Sequence, residues 1–283
     1  MHAGFIGLGH LGKAIAGRLL ECGHTLSVWN RSLEKTGGMA VETAASPAAV
    51  AENADVIFTC LFDSQAVREV LTVSSGLLSV ATGKTIVDLT TNHFRDVLDF
   101  HELCKQAGFV YLEAPVLGSV VPASQGALTI LVSGHRERYE HIKPVLEDLA
   151  AHLFFLEVPG LATRMKLINN LTLGSFMATL AEAVALGESA GINKTEAIEI
   201  LAVGGGNSMV LNAKKAKLLN NDYSTHFSNA LIYKDLHCLQ DLAFELKKPL
   251  FTASAVKELF ARTFEEGIDR EDFSAIYKLF KTI

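Results

Sequence analysis

The stretch FIGLGHLGKAIAGRLL, residues 5–20, constrains what this chain can fold into more than any other. A short β-rich run, AGFIG at 3–7, leads into three glycines, then a helix-like pattern over 10–22, then TLSVW at 25–29. Each glycine has a mechanical reason. Gly7 permits a tight turn after the strand, Gly9 lets the backbone approach a pyrophosphate, and Gly12 allows helix to pack closely on strand. The helix start offers free N–H groups and the positive end of its dipole to phosphates. Spacing alone is weak evidence. Strand, loop, helix and second strand in order within about 30 residues make the case for a dinucleotide site.

The alternation continues. DVIFTCL (55–61), KTIVDLT (84–90) and GFVYLEA (108–114) read as strands. Ser46 with Pro47 predicts a capped helix over 46–53, and Asp63 can cap another over 63–71. ALTILVSG (127–134) and HLFFLEV (152–158) flank a helix near 136–149. Strands separated by helices indicate βαβ units and a mostly parallel sheet, an α/β domain of Rossmann type. Past Pro159-Gly160 the pattern turns helical, so the expected division is a dinucleotide-binding domain at 1–161 and an all-α domain at 162–283. That domain opens with RMKLINNLTLGSFMATLAEAVALGESAG, 164–191, whose apolar residues Leu167, Leu171, Phe176, Leu180 and Val184 surround the helix. A helix apolar all round is buried on most sides, here as a wedge between domains or subunits, and a homodimer is expected. Gly191 can end it, and Asn193 with Glu196 resembles a capping box. A later helix, 229–246, places Ile232, Leu236, Leu239, Ala243 and Leu246 on one face.

Composition narrows the function. With 49% hydrophobic and 20% charged residues the chain reads as a soluble globular one able to bury a sizeable core, and with a net charge of −6 its lysines cluster only locally. NAKKAK at 212–217 reads as a solvated helix face rather than a nucleic-acid site, and no apolar run is long enough to span a membrane. The N-terminus has no basic run before its first strand, so no signal peptide is expected. Cys22, Cys60, Cys104 and Cys238 have neither metal-ligand nor CxxC spacing, so free thiols in the cytoplasm and no metal site are expected.

Where a strand-ending Asp or Glu would accept from an NAD ribose, the chain reads VWNRS. Arg31 suits a 2′-phosphate, with Asn30 and Ser32 beside it, and this favours NADP(H). Hydride transfer also needs a proton donor at the carbonyl oxygen, where negative charge develops. Lys166 is the candidate, with Asn170 one turn on along the same face; Asn169 points elsewhere and reads as structural. In EAPVLGSVVPASQGALTI, 113–130, Gly118, Ser119 and Gly126 can present N–H groups to an anion such as a carboxylate.

The glycine loop, NRS, the run EAPV-x-G-S-x-x-P-A-x-x-G-x-L, MKLINN and YKDL together resemble the β-hydroxyacid dehydrogenase family, in its order and over nearly the whole chain. Ser119, Pro122 and Ala123 are most similar to its NADPH-dependent glyoxylate/succinic semialdehyde reductase branch. The resemblance implies reduction of a small aldehyde or keto acid, or the reverse, with Lys166 as acid/base and Asn170 supporting it. It implies cofactor contacts from the loop Gly7, Leu8, Gly9, His10, Leu11 and Gly12, from Leu61, Phe62 and Thr91, and from Lys234. It sets Leu117, Gly118, Ser119, Phe227 and Asp235 at the substrate. Leu117 departs from the family's usual serine, which removes a hydroxyl for the substrate carboxylate and adds bulk. Imine reductases share the architecture but typically lack the lysine. A non-catalytic NADPH-binding scaffold is the reading from another class.

Overall fold

The computed structural model describes residues 1–80 and 83–281. The chain divides into two compact units, Met1–Lys166 and Leu167–Ile283.

In chain order the first unit contains β1 (His2–Ile6), α1 (His10–Glu21), β2 (Thr25–Trp29), β3 (Glu42–Thr43), α2 (Pro47–Asn53), β4 (Val56–Thr59), α3 (Ser64–Thr72), β5 (Thr85–Asp88) and α4 (Phe94–Gln106). There follow β6 (Val110–Glu113), β7 (Val116–Leu117), α5 (Val120–Ser124), β8 (Leu128–Gly134), α6 (Arg136–Leu149) and β9 (Ala150–Phe155). The sheet runs β3-β2-β1-β4-β5-β6-β8-β7, with β9 also on β8. The chain therefore winds outward from β1 through β2 to β3, then restarts at β4 and winds the other way. The strand order reverses between β1 and β4, and ligands of such sheets bind beyond the carboxyl ends of strands at that reversal.

Central strands are apolar on both faces because helices cover both. Phe5, Phe58, Val87 and Leu112 pack into one layer with Ile15, Leu19 and Leu146. Their chain neighbours Ile6, Ile57, Ile86 and Tyr111 pack into the opposite layer with Val50, Leu71 and Phe100. Burying each such side chain is worth about 1.5–3 kcal/mol. The expected caps are present: Ser46 accepts from the Ala49 N–H and Asp63 from the Ala66 N–H. One expectation needs refining. The strand at 127–134 is antiparallel to β6 and β7, so the parallel run of the sheet ends at β6.

The helix α7 (Leu161–Ser189) starts in the first unit and continues into the second, which adds α8 (Lys194–Val203), α9 (Met209–Asn220), α10 (Asn229–Glu245), α11 (Phe251–Glu265) and α12 (Tyr277–Lys281). Leu167, Leu180 and Val184 of α7 are buried. Met165, Ile168, Phe176 and Leu186 form an exposed apolar stripe, so apolar residues surround the helix as expected while only part of its circumference is buried within one chain. Asn193 caps α8 by accepting from the Thr195 N–H. Leu246 lies just past α10 and is exposed, because the helix ends one residue before the expected limit.

NAKKAK is not a solvated face. Lys214 is only 5% exposed and its Nζ lies 2.8 Å from Asp272 Oδ2. Lys217 donates to the Ser224 carbonyl at 2.6 Å and pairs with Asp222. Asp272 also accepts from the backbone N–H groups of His226 and Phe227. Burial alone would raise its pKa, but the Lys214 ammonium and the Ser274 donors outweigh burial and hold it below the ordinary carboxylate value. A buried ammonium is tolerated only when so paired. Sequence distance hid Asp272, which lies 58 positions from Lys214.

Candidate active site

The glycine loop sits at the strand-order reversal, directly after β1. Gly7 has φ +100, and a Cβ there would lie 2.3 Å from the Cys60 carbonyl oxygen, in the segment that follows β4. A Cβ on Gly12 would lie 2.0 Å from the Gly7 carbonyl oxygen. No protein atom lies within 4 Å of a Cβ built on Gly9. Two glycines are thus required by packing, and the third leaves open space above the loop. The first bond of α1 runs from Lys13 N–H to the Gly9 carbonyl, so the N–H groups of His10, Leu11 and Gly12 precede the helical ladder. Its first turn has no acidic residue and Gly9 provides no side-chain cap. The open space, the N–H groups ahead of the ladder and the dipole end fit a dinucleotide pyrophosphate.

Beside the loop, Asn30 Oδ1 accepts from the Leu8 N–H at 2.8 Å and its Nδ2 donates to the Ser32 carbonyl at 2.8 Å. Asn30 therefore braces the loop against the end of β2. The Leu8 side chain is buried in the core. Arg31 is exposed and Ser32 half-buried.

After β4, Leu61 is half-buried and Phe62 is 53% exposed. The Leu61 N–H donates to Thr90 Oγ1 at 2.9 Å, which links the segments after β4 and β5. Asp88 organises this region. Its carboxylate accepts from Thr59 Oγ1 at 2.7 Å, the Thr90 N–H at 3.0 Å, Asn92 Nδ2 at 2.6 Å and the Tyr111 hydroxyl at 2.5 Å. Burial and the neighbouring Asp88 charge raise the Tyr111 phenol well above its usual value, so it stays a donor. Thr91 is half-buried between two residues so held. The sequence pointed to Thr91 but not to Asp88. The signal was an acid ending an otherwise apolar strand, since a buried carboxylate must find several donors.

Leu117, in β7, pairs across the sheet with Thr129 of β8. Gly118 adopts φ +125, where a Cβ would lie 2.7 Å from Leu128 Cδ2, so the turn admits only glycine. Ser119 precedes α5 and its side chain makes no capping bond. Gly126, also at positive φ, would carry its Cβ 2.7 Å from the Asp148 carbonyl oxygen. Close packing against the C-terminal end of α6 therefore requires glycine at 126, and the Gly126 N–H bonds to the Ala123 carbonyl at 3.3 Å.

On α7, Lys166 is 7% exposed and Asn170 fully buried, one helical turn apart. Gly174, one turn further, has α10 close against it: a Cβ there would meet Leu236 at 3.3 Å and Ile232 at 3.4 Å. That approach brings Asp235 of α10 to Asn170, whose Nδ2 donates to Asp235 Oδ2 at 2.6 Å. Lys234 Nζ lies 2.8 Å from Asp235 Oδ1, and Asn169 Nδ2 donates to Asn170 Oδ1 at 3.2 Å. The second unit therefore gathers the buried Asn170 and Asp235 and the half-buried Lys234 into one polar cluster. Phe227 packs edge-on against Phe273, with centroids 5.7 Å apart, and is half-buried. Among the described residues no group of three His, Cys, Asp or Glu side chains is arranged to hold a metal ion. No helix among them is long and apolar enough to cross a membrane.

Comparison with known proteins agrees with this geometry. Residues 2–158 match the family described as the NAD binding domain of 6-phosphogluconate dehydrogenase. Residues 160–280 match the NAD-binding domain of NADP-dependent 3-hydroxyisobutyrate dehydrogenase. Over 98% of its length the chain is 34% identical to the mouse (Mus musculus) cytokine-like nuclear factor N-PAC, of which it spans 50%. The chain thus spans about half the length of that relative. It is 30% identical to chloroplastic glyoxylate/succinic semialdehyde reductase 2 of Arabidopsis thaliana, covering 98% of this chain and 79% of the relative. Among solved structures, Psf3 in complex with NADP+ and 2-OPP superposes with a TM-score of 0.92 at 29% identity, over 98% of this chain and 99% of that one. The first unit is a nicotinamide-dinucleotide-binding domain. The chain belongs to the β-hydroxyacid dehydrogenase family of oxidoreductases.

Proposed function

We propose that this chain is an NADPH-dependent reductase of a small aldehyde or keto acid, of the glyoxylate or succinic semialdehyde type, catalysing the reverse oxidation at the same site. The observation that carries the reading is the buried Lys166 one turn before an Asn170 whose amide is fixed by Asp235. Residues 1–161 serve as the nucleotide-binding half and 162–283 as the helical half. When bound, the reduced nicotinamide supplies the hydride. Lys166 holds the proton that the carbonyl oxygen takes as its negative charge grows, which removes the cost of forming a free alkoxide. Asn170 Oδ1 accepts from Asn169 and keeps a second lone pair, suited to the ammonium or the product hydroxyl. Asp235, shared between Asn170 and Lys234, locks that amide in one orientation. Gly7, Gly9, His10, Leu11 and Gly12 hold the pyrophosphate, with Leu61, Phe62, Thr91 and Lys234 along the rest of the cofactor. Gly118 and Ser119 take the substrate's acid group, with Phe227 lining the site. Leu117 narrows the choice of substrate by offering bulk in place of a hydroxyl.

The test is turnover of glyoxylate and succinic semialdehyde with NADPH and with NADH, and of 3-hydroxyisobutyrate with NADP+. If none of these changes the nicotinamide absorbance, the reading falls. Arg31 carries the cofactor preference. A charge-assisted bond to a 2′-phosphate is worth about 1.5–3 kcal/mol, so Arg31→Ala should lower the NADPH-over-NADH ratio of kcat/KM by about 10- to 100-fold. An unchanged ratio removes Arg31 from that role.

A second reading, a nicotinamide-binding scaffold, is favoured by the likeness to N-PAC, which is described as a nuclear factor. Against it stands the placing of Lys166 one helical turn before an amide that Asp235 fixes, since a scaffold has no use for a proton donor there. Imine reduction is disfavoured by the same lysine. Four free cysteines fit a reducing compartment such as the cytoplasm. The exposed apolar stripe of α7 fits self-association as a homodimer, and light scattering at micromolar concentration should give twice the chain mass. A monomer would contradict it.

A further inference from the structure

The first turn of an α-helix leaves its leading N–H groups without helical partners, and something must accept from them. At α7 the accounting closes within the first unit. The Leu161 N–H bonds to the Val158 carbonyl, and the Arg164 N–H makes the first helical bond, to Gly160. The remaining three go to two side chains of the sheet. Glu113 accepts from the Gly160 N–H through one carboxylate oxygen. Its other oxygen accepts from the Thr163 N–H at 3.0 Å and from the Thr163 hydroxyl. Ser133 Oγ accepts from the Ala162 N–H at 3.0 Å. Glu113 and Ser133 are directly opposed partners on β6 and β8. One cross-strand pair thus takes every N–H the helix leaves over.

We propose that Glu113, assisted by Ser133, is a positioning residue that fixes the start of α7 to the sheet and thereby sets the height and rotation of Lys166. Thr163 and Lys166 are three residues apart, on neighbouring positions of one helix face, so a shift of the first turn carries Lys166 with it. A buried carboxylate is a costly way to cap a helix that an exposed Ser or Asp could cap. It supplies rigidity, since it accepts at two oxygens from three donors. The inference rests on the reading of Lys166 as proton donor.

Glu113→Gln keeps the shape but turns one acceptor into a donor, which faces an N–H of the helix. Hydrogen exchange of amides 160–166 should accelerate by about tenfold or more, with 176–189 unchanged and NADPH affinity within about twofold of wild type. With the better of glyoxylate and succinic semialdehyde, kcat should fall by about tenfold or more per NADPH-binding site. The double variant Glu113→Gln/Lys166→Ala should be no slower than Lys166→Ala. Unchanged exchange or unchanged kcat overturns the proposal. Losses that multiply in the double variant overturn it too while leaving Lys166 its role. If Lys166→Ala alone keeps wild-type turnover, the reading of Lys166 is what has failed, and this inference falls with it. Should Glu113→Gln not fold, Ser133→Ala removes only the Ala162 acceptor. It should show the same pattern at about threefold, and no change in it counts against the clamp.

Discussion

Lys166→Ala is expected to lower kcat by about two to four orders of magnitude while NADPH affinity stays within about twofold of wild type. The size follows from the two states that the ammonium distinguishes. Reacting carbonyl oxygen carries little charge before hydride arrives and nearly a full charge after, so a buried cation with a transferable proton stabilises the second state far more than the first. Its loss therefore falls on kcat more than on KM. A structural lysine makes a different forecast. Removing one partner of a buried polar network costs stability, lowers Tm and leaves each folded molecule active. Lys166→Met separates the two, because it keeps the apolar stem of a side chain that is 7% exposed and removes only the charge. Both variants should be slow and both should bind NADPH. An Ala or Met variant retaining more than about a tenth of wild-type kcat ends the role proposed for Lys166.

The parts of this molecule that could be read from the chain are those whose causes are local. Ser46, Asp63 and Asn193 cap helices by reaching two or three residues along the backbone, so a short window contains donor and acceptor together. The glycine loop belongs to the same class: Gly12 is required by the Gly7 carbonyl, five residues away. Lys214 lies 58 positions from Asp272, and Asn170 lies 65 from Asp235. No periodicity ties those pairs, and an isolated Lys on a helix reads as solvated until its partner is known. Asp88 and Glu113 are intermediate cases. Each ends an apolar strand, which marks it as buried, but which donors converge on it depends on sheet order. The antiparallel β8 places Ser133 opposite Glu113, and a mostly parallel reading of the sheet did not anticipate that. Asn30 has a role that the sequence did not show. Its sequence position beside Arg31 suggested a cofactor contact, while both ends of its amide bind backbone.

Gly9→Ala and Gly12→Ala should part company, and the difference locates the phosphates. Gly12→Ala sets a methyl 2.0 Å from the Gly7 carbonyl oxygen and 3.3 Å from Phe5 Cε1. A backbone oxygen cannot rotate away, and Gly7 has its own wall in the Cys60 carbonyl. The turn must open, at about 1–3 kcal/mol of stability, with the helix start displaced and NADPH affinity down by about 100-fold or more. Gly9→Ala meets no protein atom within 4 Å, and its φ of −69 suits alanine. The unliganded protein should therefore keep its Tm within about one or two degrees. Its cofactor affinity should nonetheless fall by about tenfold or more, because the methyl enters the space into which the pyrophosphate descends toward the N–H groups of α1. Thermal unfolding with and without NADPH measures both quantities on one sample, since ligand stabilisation follows directly from affinity. A Gly9→Ala protein stabilised by NADPH as strongly as wild type would mean that the phosphates do not lie over that loop, and the nucleotide site would have to be sought elsewhere on the sheet.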